Sequence, residues 1–228
     1  MSDKTDFKIE LTLIRHGSTR SNEEKRYLGR TDEALSDEGI REITDKKSIY
    51  NKSDLLFISP MLRCRQTAEI LFPTQEAYVI EEWKEIDFGQ FEGKSYKELS
   101  GNPLYQEWVD SGCKSQIPDG EPLDAFINRS MLGLKKCLEI CEKYLLNLRK
   151  MTKQVPQNHS LQMTDNSTKE RITATAIVHG GTIMSILSSL TNSDYFDFQV
   201  KNGEGYILDF DDDKLIGFNP IAYSKIGL

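Results

Sequence analysis

The sequence predicts an α/β fold with a mainly parallel sheet, because apolar strand-like runs alternate with helical patterns along the chain. Residues 8–14, 54–59 and 172–178 are short runs rich in aliphatic and β-branched residues, which is typical of strands in a buried sheet. At 228 residues the chain can bury a substantial core, and we expect a single domain over residues 1–228.

Local signals predict where the helices begin. Ser36 and the acidic residues after it indicate one helix start. Ser59 followed by Pro60 predicts a second helix, capped by Ser59 with Pro60 at its first position. A long helix is predicted to begin near Pro122, because apolar residues then recur at alternating steps of four and three. The residues of this stripe are Ile127, Met131, Leu134, Leu138, Cys141, Leu145 and Leu148.

The remaining segments are predicted as follows. A further strand is expected at 77–80, and "GYILDF" and "KLIGF" near the end of the sequence should form a hairpin around an aspartate-rich turn. A helix should follow the strand at 172–178 through "TIMSILSSL". Residues 150–170 are polar and aperiodic, which indicates a long surface loop.

Composition excludes several classes of function. The net charge of −7, from 29 basic and 36 acidic residues, argues against a nucleic-acid partner or a membrane-surface partner. The N-terminal residues are too polar for a signal peptide, and no apolar run reaches the ~18 residues of a membrane span. We therefore expect a cytoplasmic protein. Cys137 and Cys141 are four apart in a helical pattern, which favours buried thiols over a metal site.

Two of the three histidines occupy matching positions. His16 and His179 each follow an apolar strand directly and precede a glycine, whereas His159 lies in the polar loop and is expected to be solvated. The carboxyl ends of parallel strands line the ligand crevice of an α/β sheet. One such histidine alone would most often be structural, but two at matching positions predict that both imidazoles meet at one site.

Two arginines indicate that this site binds an anion. Arg15 precedes His16, and Arg63 lies in the first turn of the helix predicted after Ser59. A helix N-terminus favours a bound anion, and the guanidinium fork matches phosphate oxygens. Arg65 is interpreted as an ordinary surface charge. The sequence thus predicts a phosphate pocket.

Five ordered blocks resemble the histidine phosphatase superfamily, which includes the cofactor-dependent phosphoglycerate mutases. The blocks are "LIRHGSTRSN" at 13–22, "GRTDEALSDEG" at 29–39, "SPMLRCRQTAEIL" at 59–71, "EIDFGQFEG" at 85–93 and "VHGGT" at 178–182. The resemblance implies a three-layer sandwich whose mainly parallel central sheet is flanked by helices. It also implies an inserted helical and loop segment at about 82–120 that lies over the site.

The resemblance further implies the role of each site residue. His16 would be the nucleophile that forms a phosphohistidine. The transferred phosphoryl group would be held by Arg15, Asn22, Arg63, a protonated His179 and Gly180. These groups replace the magnesium ion of other phosphoryl-transfer enzymes, so we expect neither a metal nor another cofactor.

The proton donor is predicted from the same resemblance. The acid-phosphatase branch carries an aspartate directly after its second histidine, whereas this chain has Gly180. Glu85 matches the glutamate that serves as acid and base in the other branch. Nearby acidic residues are interpreted as solvated charges: Glu81, Glu82, Asp87 and Glu92.

The expected reaction is hydrolysis of a small phosphomonoester. "HGGTIMSIL" is closer to the phosphatases than to the mutases, and "RYLGRTDEALSDEG" with "EIDFGQFEGKSYKEL" looks most like the α-ribazole-5′-phosphate phosphatases. Tyr105 and Trp108 could stack on an aromatic base, although packing of the small inserted segment onto the sheet is the preferred interpretation. The alternatives are a cofactor-dependent phosphoglycerate mutase and a non-catalytic protein that binds a phosphorylated ligand.

Overall fold

The computed structural model describes residues 7–153 and 170–221, and a six-stranded sheet forms its centre. Along the chain the strands are β1 (Phe7–Arg15), β2 (Leu55–Ile58), β3 (Ala77–Val79), β4 (Glu170–Val178), β5 (Gly205–Asp211) and β6 (Lys214–Pro220). Their order across the sheet is β3-β2-β4-β1-β5-β6. Strands β3, β2, β4 and β1 pair with one another in parallel. Strand β5 pairs antiparallel with β1, and β5 and β6 form the predicted antiparallel hairpin. The predicted α/β fold with a mainly parallel sheet is confirmed.

Helices connect the strands. They are α1 (Arg20–Glu23), α2 (Asp37–Lys46), α3 (Leu62–Leu71), α4 (Pro103–Asp110), α5 (Leu123–Lys153) and α6 (Gly180–Thr191). Short 3₁₀ turns lie at Lys47–Ile49, Glu81–Trp83, Gly89–Phe91 and Tyr195–Phe198. Ser36 caps α2 as predicted, because its hydroxyl accepts from the N–H of Gly39 at 2.9 Å. None of the helices in the described ranges combines the length and apolar composition needed to cross a membrane.

Buried side chains on both faces of the sheet produce the three layers. One core joins β1 and β4 to α5 and α6, through Leu11, Leu13, Leu134, Cys137, Cys141, Ala174, Ile183 and Ile186. The other core joins the opposite face to α2 and α3, through Ile14, Ile43, Leu56, Cys64, Ala68 and Ile177. Full burial of one large aliphatic side chain stabilises a fold by roughly 1.5–3 kcal/mol. Packing in these two cores fixes the positions of the carboxyl ends of β1 and β4.

The start of α3 differs from the prediction. The helix begins at Leu62, so Pro60 is not in its first turn, and Ser59 does not cap it. Instead, the Asp32 carboxylate accepts from the N–H of Leu62 at 2.6 Å. This distant carboxylate performs the capping role that the sequence assigned to Ser59. The buried Ser59 hydroxyl is thereby available for another contact, described below.

Helix α5 begins directly after Pro122, as predicted, and continues to Lys153. The first residues of the predicted loop at 150–170 are therefore helical, and its last residue, Glu170, is the first residue of β4. Residues 154–169, with His159, lie outside the described residues. Leu134, Cys141 and Leu145 of the predicted apolar stripe are buried, whereas Leu148 at its end is 41 % exposed. Cys137 and Cys141 are buried free thiols in the core, as expected.

The chain between β3 and α5 forms its own apolar cluster. Side chains from this segment and from the start of α5 pack together, namely Ile86, Phe91, Leu99, Trp108, Ile117, Leu123 and Phe126. Tyr105 packs against this cluster, and its ring lies 5.4 Å from that of Phe91. Tyr105 and Trp108 do have a packing role, but they pack within this cluster and not onto the sheet as predicted. This segment contains Glu85 and therefore helps to position it.

Candidate active site

The two predicted histidines lie side by side at the carboxyl edge of the sheet. In the parallel register of β1 and β4, Arg15 pairs with Val178, so His16 and His179 follow at neighbouring strand ends. Their ring centroids are 5.1 Å apart, and their planes cross at 67°. The predicted convergence of the two imidazoles is confirmed.

The hydrogen bonds of His16 define its tautomer. Its Nδ1 lies 2.7 Å from the Gly17 carbonyl oxygen, which can only accept, so Nδ1 carries the proton. The N–H of Gly17 donates to the Thr67 hydroxyl at 2.9 Å, which anchors that peptide. Burial, reinforced by the charges of Arg63 and Arg15, lowers the pKa of His16 well below its usual value. His16 is therefore neutral, with an unprotonated Nε2.

His179 is also neutral, which differs from the protonated ring that the sequence analysis expected. The Nε–H of Arg63 donates to Nδ1 of His179 at 3.3 Å, so Nδ1 carries no proton. The Nε2 atom lies 2.8 Å from the Ser59 hydroxyl. Burial lowers the pKa of His179 well below its usual value, and the positive charge of Arg63 lowers it further. Ser59 is therefore a site residue that the sequence interpretation missed.

Arg63 is fully buried and is oriented by a short loop. Its Nη1 and Nη2 donate to the carbonyl oxygens of Thr31 and Gly29, each at 3.0 Å. The N–H groups of the same two residues donate to the Glu92 carboxylate at 3.0 and 2.9 Å. Glu92 was expected to be a solvated charge, and that expectation is wrong. It holds the loop that orients the Arg63 guanidinium.

Arg15 brings a second cation to the site. Its Nη1 donates to the Val200 carbonyl at 2.8 Å, while its buried Nε has no hydrogen-bond partner in the structure. Burial lowers the pKa of Arg15, but a guanidinium remains protonated in proteins. A Cβ atom added at Gly180 would lie 3.5 Å from this Nε, so the first residue of α6 is adjacent to Arg15. This unsatisfied donor is suited to an anion.

The amide of Asn22 is oriented by two donors. Its Oδ1 accepts from the N–H of Thr19 and from Nδ2 of Asn202, both at 3.2 Å. The Asn22 Nδ2 is therefore the end that can donate to a ligand. Asn202 also donates to the His16 carbonyl at 2.9 Å. Asn202 thus links the two predicted site residues, although no sequence motif indicated it.

Glu85 lies against the N-terminus of α6. Its carboxylate accepts from the N–H of Ile86 at 3.0 Å and from the N–H of Gly181 at 3.4 Å. Burial raises the pKa of Glu85, whereas hydrogen bonds and the charges of Arg63 and Arg15 act in the opposite direction. A Cβ atom at Gly181 would come within 2.4 Å of the Glu85 Oε1, so only glycine leaves room for this carboxylate.

A family model of the histidine phosphatase superfamily (branch 1) matches residues 11–146, which is more than half of the chain. The chain belongs to the histidine phosphatase superfamily. The family predicted from the five sequence blocks is confirmed. The matched range contains His16, Arg63 and Glu85, while His179 lies beyond it.

Curated relatives in this superfamily carry different activity names. The chain is 28% identical over 142 residues to a "probable phosphoglycerate mutase" of Proteus mirabilis, covering 59% of this chain and 65% of the relative. It is 26% identical over 127 residues to the adenosylcobalamin/α-ribazole phosphatase of Escherichia coli, covering 53% and 63%. The chain thus spans slightly less than two thirds of the length of these relatives.

A solved member shares the fold over nearly the whole chain. The α-ribazole phosphatase of Shigella flexneri superposes with a TM-score of 0.65 and covers 90% of this chain and 93% of its own. Sequence identity in this comparison is 19%, so it shows the shared fold. The predicted three-layer architecture of the superfamily is in agreement with this match.

A cavity of about 300 Å³ opens beside the histidine phosphatase residues. Four predicted site residues line it, namely Arg15, Asn22, Glu85 and Gly180. Aromatic side chains supply much of the remaining wall, namely Tyr27, Phe88, Trp108, Tyr195 and Phe196. Trp108 therefore packs in the core and also contributes to the cavity. The cavity combines a cationic, acid-bearing part with an apolar part.

The described residues contain no group of three or more His, Cys, Asp or Glu side chains arranged to hold a metal ion. The guanidinium groups of Arg15 and Arg63 act on both histidines and on Glu85, and the charge of Arg129 also acts on His179. The Arg15 and Arg63 groups can hold a phosphoryl group by hydrogen bonds and charge.

Proposed function

We propose that this protein is a phosphomonoester phosphatase that acts through a phosphohistidine on His16. The observation that carries the proposal is the neutral, buried His16, whose Nδ1–H is bonded to the Gly17 carbonyl 2.7 Å away. That hydrogen bond leaves the Nε2 lone pair free to attack phosphorus. The neighbouring His179 and two arginines make the surroundings of this nucleophile suitable for a phosphate group.

In the first step, Nε2 of His16 forms a bond to phosphorus while the bond from phosphorus to the ester oxygen breaks. Arg15, Arg63 and the Asn22 amide donate hydrogen bonds to the phosphoryl oxygens, whose charge must be stabilised throughout the transfer. The backbone N–H of Gly180 at the start of α6 adds a further donor.

Glu85 supplies and then removes the proton. Its burial raises its pKa, which favours the protonated carboxyl needed to protonate the departing alkoxide. In the second step, the Glu85 carboxylate takes a proton from water as the water oxygen attacks phosphorus and the bond to Nε2 breaks. The products are the alcohol, inorganic phosphate and the original forms of His16 and Glu85.

We propose α-ribazole 5′-phosphate as the substrate, because one end of this molecule is a phosphate and the other is an aromatic base. The aromatic wall of the cavity, including Trp108 and Phe196, suits such a base, and the cationic part suits the phosphate. The named activity of the Escherichia coli relative supports the same choice. No metal ion is needed in this scheme.

Phosphoglycerate mutase is the second candidate function, and the name of the Proteus mirabilis relative favours it. A mutase shares the phosphohistidine step but returns the phosphoryl group to a substrate hydroxyl instead of to water. Incubation with 3-phosphoglycerate separates the two functions, since a mutase forms 2-phosphoglycerate and a phosphatase releases inorganic phosphate.

The central test is a kcat/KM ranking of phosphomonoesters by wild type and His16→Ala in the presence of EDTA. We expect wild type to release phosphate from p-nitrophenyl phosphate and to prefer α-ribazole 5′-phosphate, while His16→Ala is inactive. Binding of phosphate without turnover by wild type would instead support a non-catalytic ligand-binding protein. Activity that EDTA abolishes would contradict the metal-free scheme.

The aromatic part of the cavity is tested with Phe196→Ala. Phe196 is 37 % exposed, so its replacement should not disturb the core. Loss of one aromatic stacking contact of about 0.5–1.5 kcal/mol should raise KM for α-ribazole 5′-phosphate several-fold. Ribose 5-phosphate, which has no aromatic base, is the control substrate and should be unaffected.

A further inference from the structure

Arg129, on α5, binds the backbone that carries Glu85. Its Nη1 donates to the carbonyl oxygens of Glu82 at 2.8 Å and Lys84 at 2.5 Å, and its Nη2 donates to the Glu85 carbonyl at 3.0 Å. A single guanidinium thus fixes three carbonyl groups of the segment that ends at the proposed acid.

A carboxylate completes the coordination of this arginine. Glu121 accepts from Nε and from Nη2 of Arg129, both at 2.6 Å, and the guanidinium also lies 4.6 Å from the centroid of the Phe126 ring. The side chains are 25% and 19% exposed, so the pair is partly shielded from solvent. A guanidinium has five N–H donors, and these five hydrogen bonds use all of them. Arg129 therefore has no donor left for a substrate.

Other contacts join the same face of α5 to the Glu85 segment. The indole N–H of Trp83 donates to the Ser130 carbonyl at 3.2 Å. A Cβ atom at Gly133 would come within 2.5 Å of the Trp83 indole nitrogen, so the helix approaches this ring closely. The Glu121 N–H donates to the Asp87 carbonyl at 2.9 Å. Helix α5 and Glu121, which lies just before it, thus support the backbone on the two sides of Glu85.

We propose that Arg129 is a positioning residue for catalysis, which keeps the Glu85 carboxyl at the ester oxygen of the substrate. This inference rests on the proposed role of Glu85 as the acid. The Arg129 fork fixes the Glu85 backbone, and the N–H groups of Ile86 and Gly181 donate to its carboxylate. Small displacements of a catalytic group reduce its contribution strongly, because proton transfer requires hydrogen-bond distance.

If Arg129 positions Glu85, the effect of an Arg129 substitution on kcat/KM should depend on the leaving group of the substrate. When Nε2 of His16 bonds to phosphorus and the ester bond breaks, an alkoxide must receive the Glu85 proton, whereas p-nitrophenolate is stable without it. A misplaced Glu85 should therefore slow alkyl phosphate hydrolysis and leave aryl phosphate hydrolysis nearly unchanged. The ratio of kcat/KM values measures this step, since kcat/KM reports events up to the first irreversible one.

The test compares Arg129→Lys with wild type on ribose 5-phosphate and p-nitrophenyl phosphate. Lysine keeps the charge but cannot form the planar five-donor arrangement. We expect kcat/KM for ribose 5-phosphate to fall about tenfold or more, as for loss of one well-placed hydrogen bond, and that for p-nitrophenyl phosphate to change by less than about threefold.

Lys136→Met is the matched control. Lys136 also lies on α5 and pairs with the Glu82 side chain, but it has no hydrogen bond to the Glu85 backbone in the described contacts. Its replacement should leave both kcat/KM values unchanged. If Arg129→Lys lowers kcat/KM equally for the two substrates, or lowers it for neither, the proposal is overturned.

Glu85→Gln separates this inference from the proposed function. If Glu85→Gln shows the leaving-group dependence and Arg129→Lys does not, the acid is correct and the positioning role of Arg129 is wrong. If Glu85→Gln lacks the dependence, the proposed function itself fails. In the double variant that carries both substitutions, kcat/KM for ribose 5-phosphate should be little lower than in Glu85→Gln alone. Should Arg129→Lys not fold, Glu121→Gln, which weakens the same fork, must show the dependence or the proposal is wrong.

Discussion

The Nε–H of Arg63 donates to Nδ1 of His179 across 3.3 Å. The proton of His179 is therefore on Nε2, where the hydroxyl of Ser59 lies 2.8 Å away. The ring is held from both sides by groups that are themselves fully buried. Its orientation beside His16 is consequently determined before any phosphate group arrives, which is the preorganisation that the proposed phosphoryl transfer requires.

Replacement of Ser59 by alanine should reduce turnover. The change removes the acceptor for the Nε2–H of His179 and leaves a buried donor without its partner. We expect kcat to fall about tenfold, as for one lost hydrogen bond of roughly 1.4 kcal/mol in the transition state. Steady-state kinetics with p-nitrophenyl phosphate measure the effect.

Ser189→Ala is the control for this prediction. Ser189 lies on α6, and its hydroxyl donates only within the helix, to the Ser185 carbonyl at 2.7 Å. This variant should behave as wild type. If Ser59→Ala also keeps wild-type kcat, the hydroxyl does not orient His179.

Replacement of Gly181 by alanine should displace Glu85. The new Cβ would lie 2.4 Å from the Glu85 Oε1 and 2.9 Å from the Phe126 ring, so one of these groups must move. We expect kcat/KM for alkyl phosphates to fall about tenfold or more. Gly217→Ala is the control, because nothing lies within 4 Å of a Cβ there. Unchanged alkyl phosphate kinetics in Gly181→Ala would show that the position of Glu85 is not critical.

Glu92 should contribute to the stability of the fold. Glu92→Ala leaves the N–H groups of Gly29 and Thr31 without their acceptor and loosens the carbonyls that hold Arg63. We expect a loss of about 1–3 kcal/mol in the free energy of unfolding. Glu92→Gln keeps an acceptor oxygen and should lose less. Urea denaturation measures both variants.

The exposed ion pair between Arg41 and Glu38 provides the comparison for Glu92. Both side chains are more than half exposed, at 66% and 55%. Arg41→Ala should therefore change the free energy of unfolding by less than about 1 kcal/mol. A Glu92→Ala variant no less stable than Arg41→Ala would contradict the anchoring role of Glu92.

The positions of His16 and His179 were predictable because they depend on two local facts. Each follows an apolar run that reads as a strand, and parallel strands bring their carboxyl ends to one edge of the sheet. The family resemblance then selected Glu85 among several nearby acidic residues, which composition alone could not do.

The supporting contacts were not predictable, because they join residues far apart along the chain. Ser59 and His179 are separated by 120 positions, and Asn202 reaches the His16 carbonyl across 186. Local signals even misassigned Ser59, since a serine before proline is a typical helix start and the structure uses Asp32 for that role. Arg129 has no sequence signature, because its partners are backbone carbonyls.

The free energy of unfolding should decrease as the pH falls below about 6.5, the ordinary pKa of histidine. His16 should contribute to this decrease. Burial, with the charges of Arg63 and Arg15, holds the pKa of His16 well below its usual value in the folded protein. The unfolded chain, with a histidine pKa of about 6.5, binds a proton that folded His16 does not. The unfolded state is therefore favoured as the pH falls through that value.

His16→Asn removes this titration while keeping a donor for the Gly17 carbonyl. Between about pH 5 and 6.5, we expect the slope of unfolding free energy against pH to decrease by up to about 1.4 kcal/mol per pH unit relative to wild type. Urea denaturation at several pH values measures both slopes, so a constant difference in stability between the two proteins does not interfere. Equal slopes would mean that the pKa of His16 is the same in the folded and unfolded states, which is incompatible with a buried, neutral imidazole and with the proposed nucleophile role.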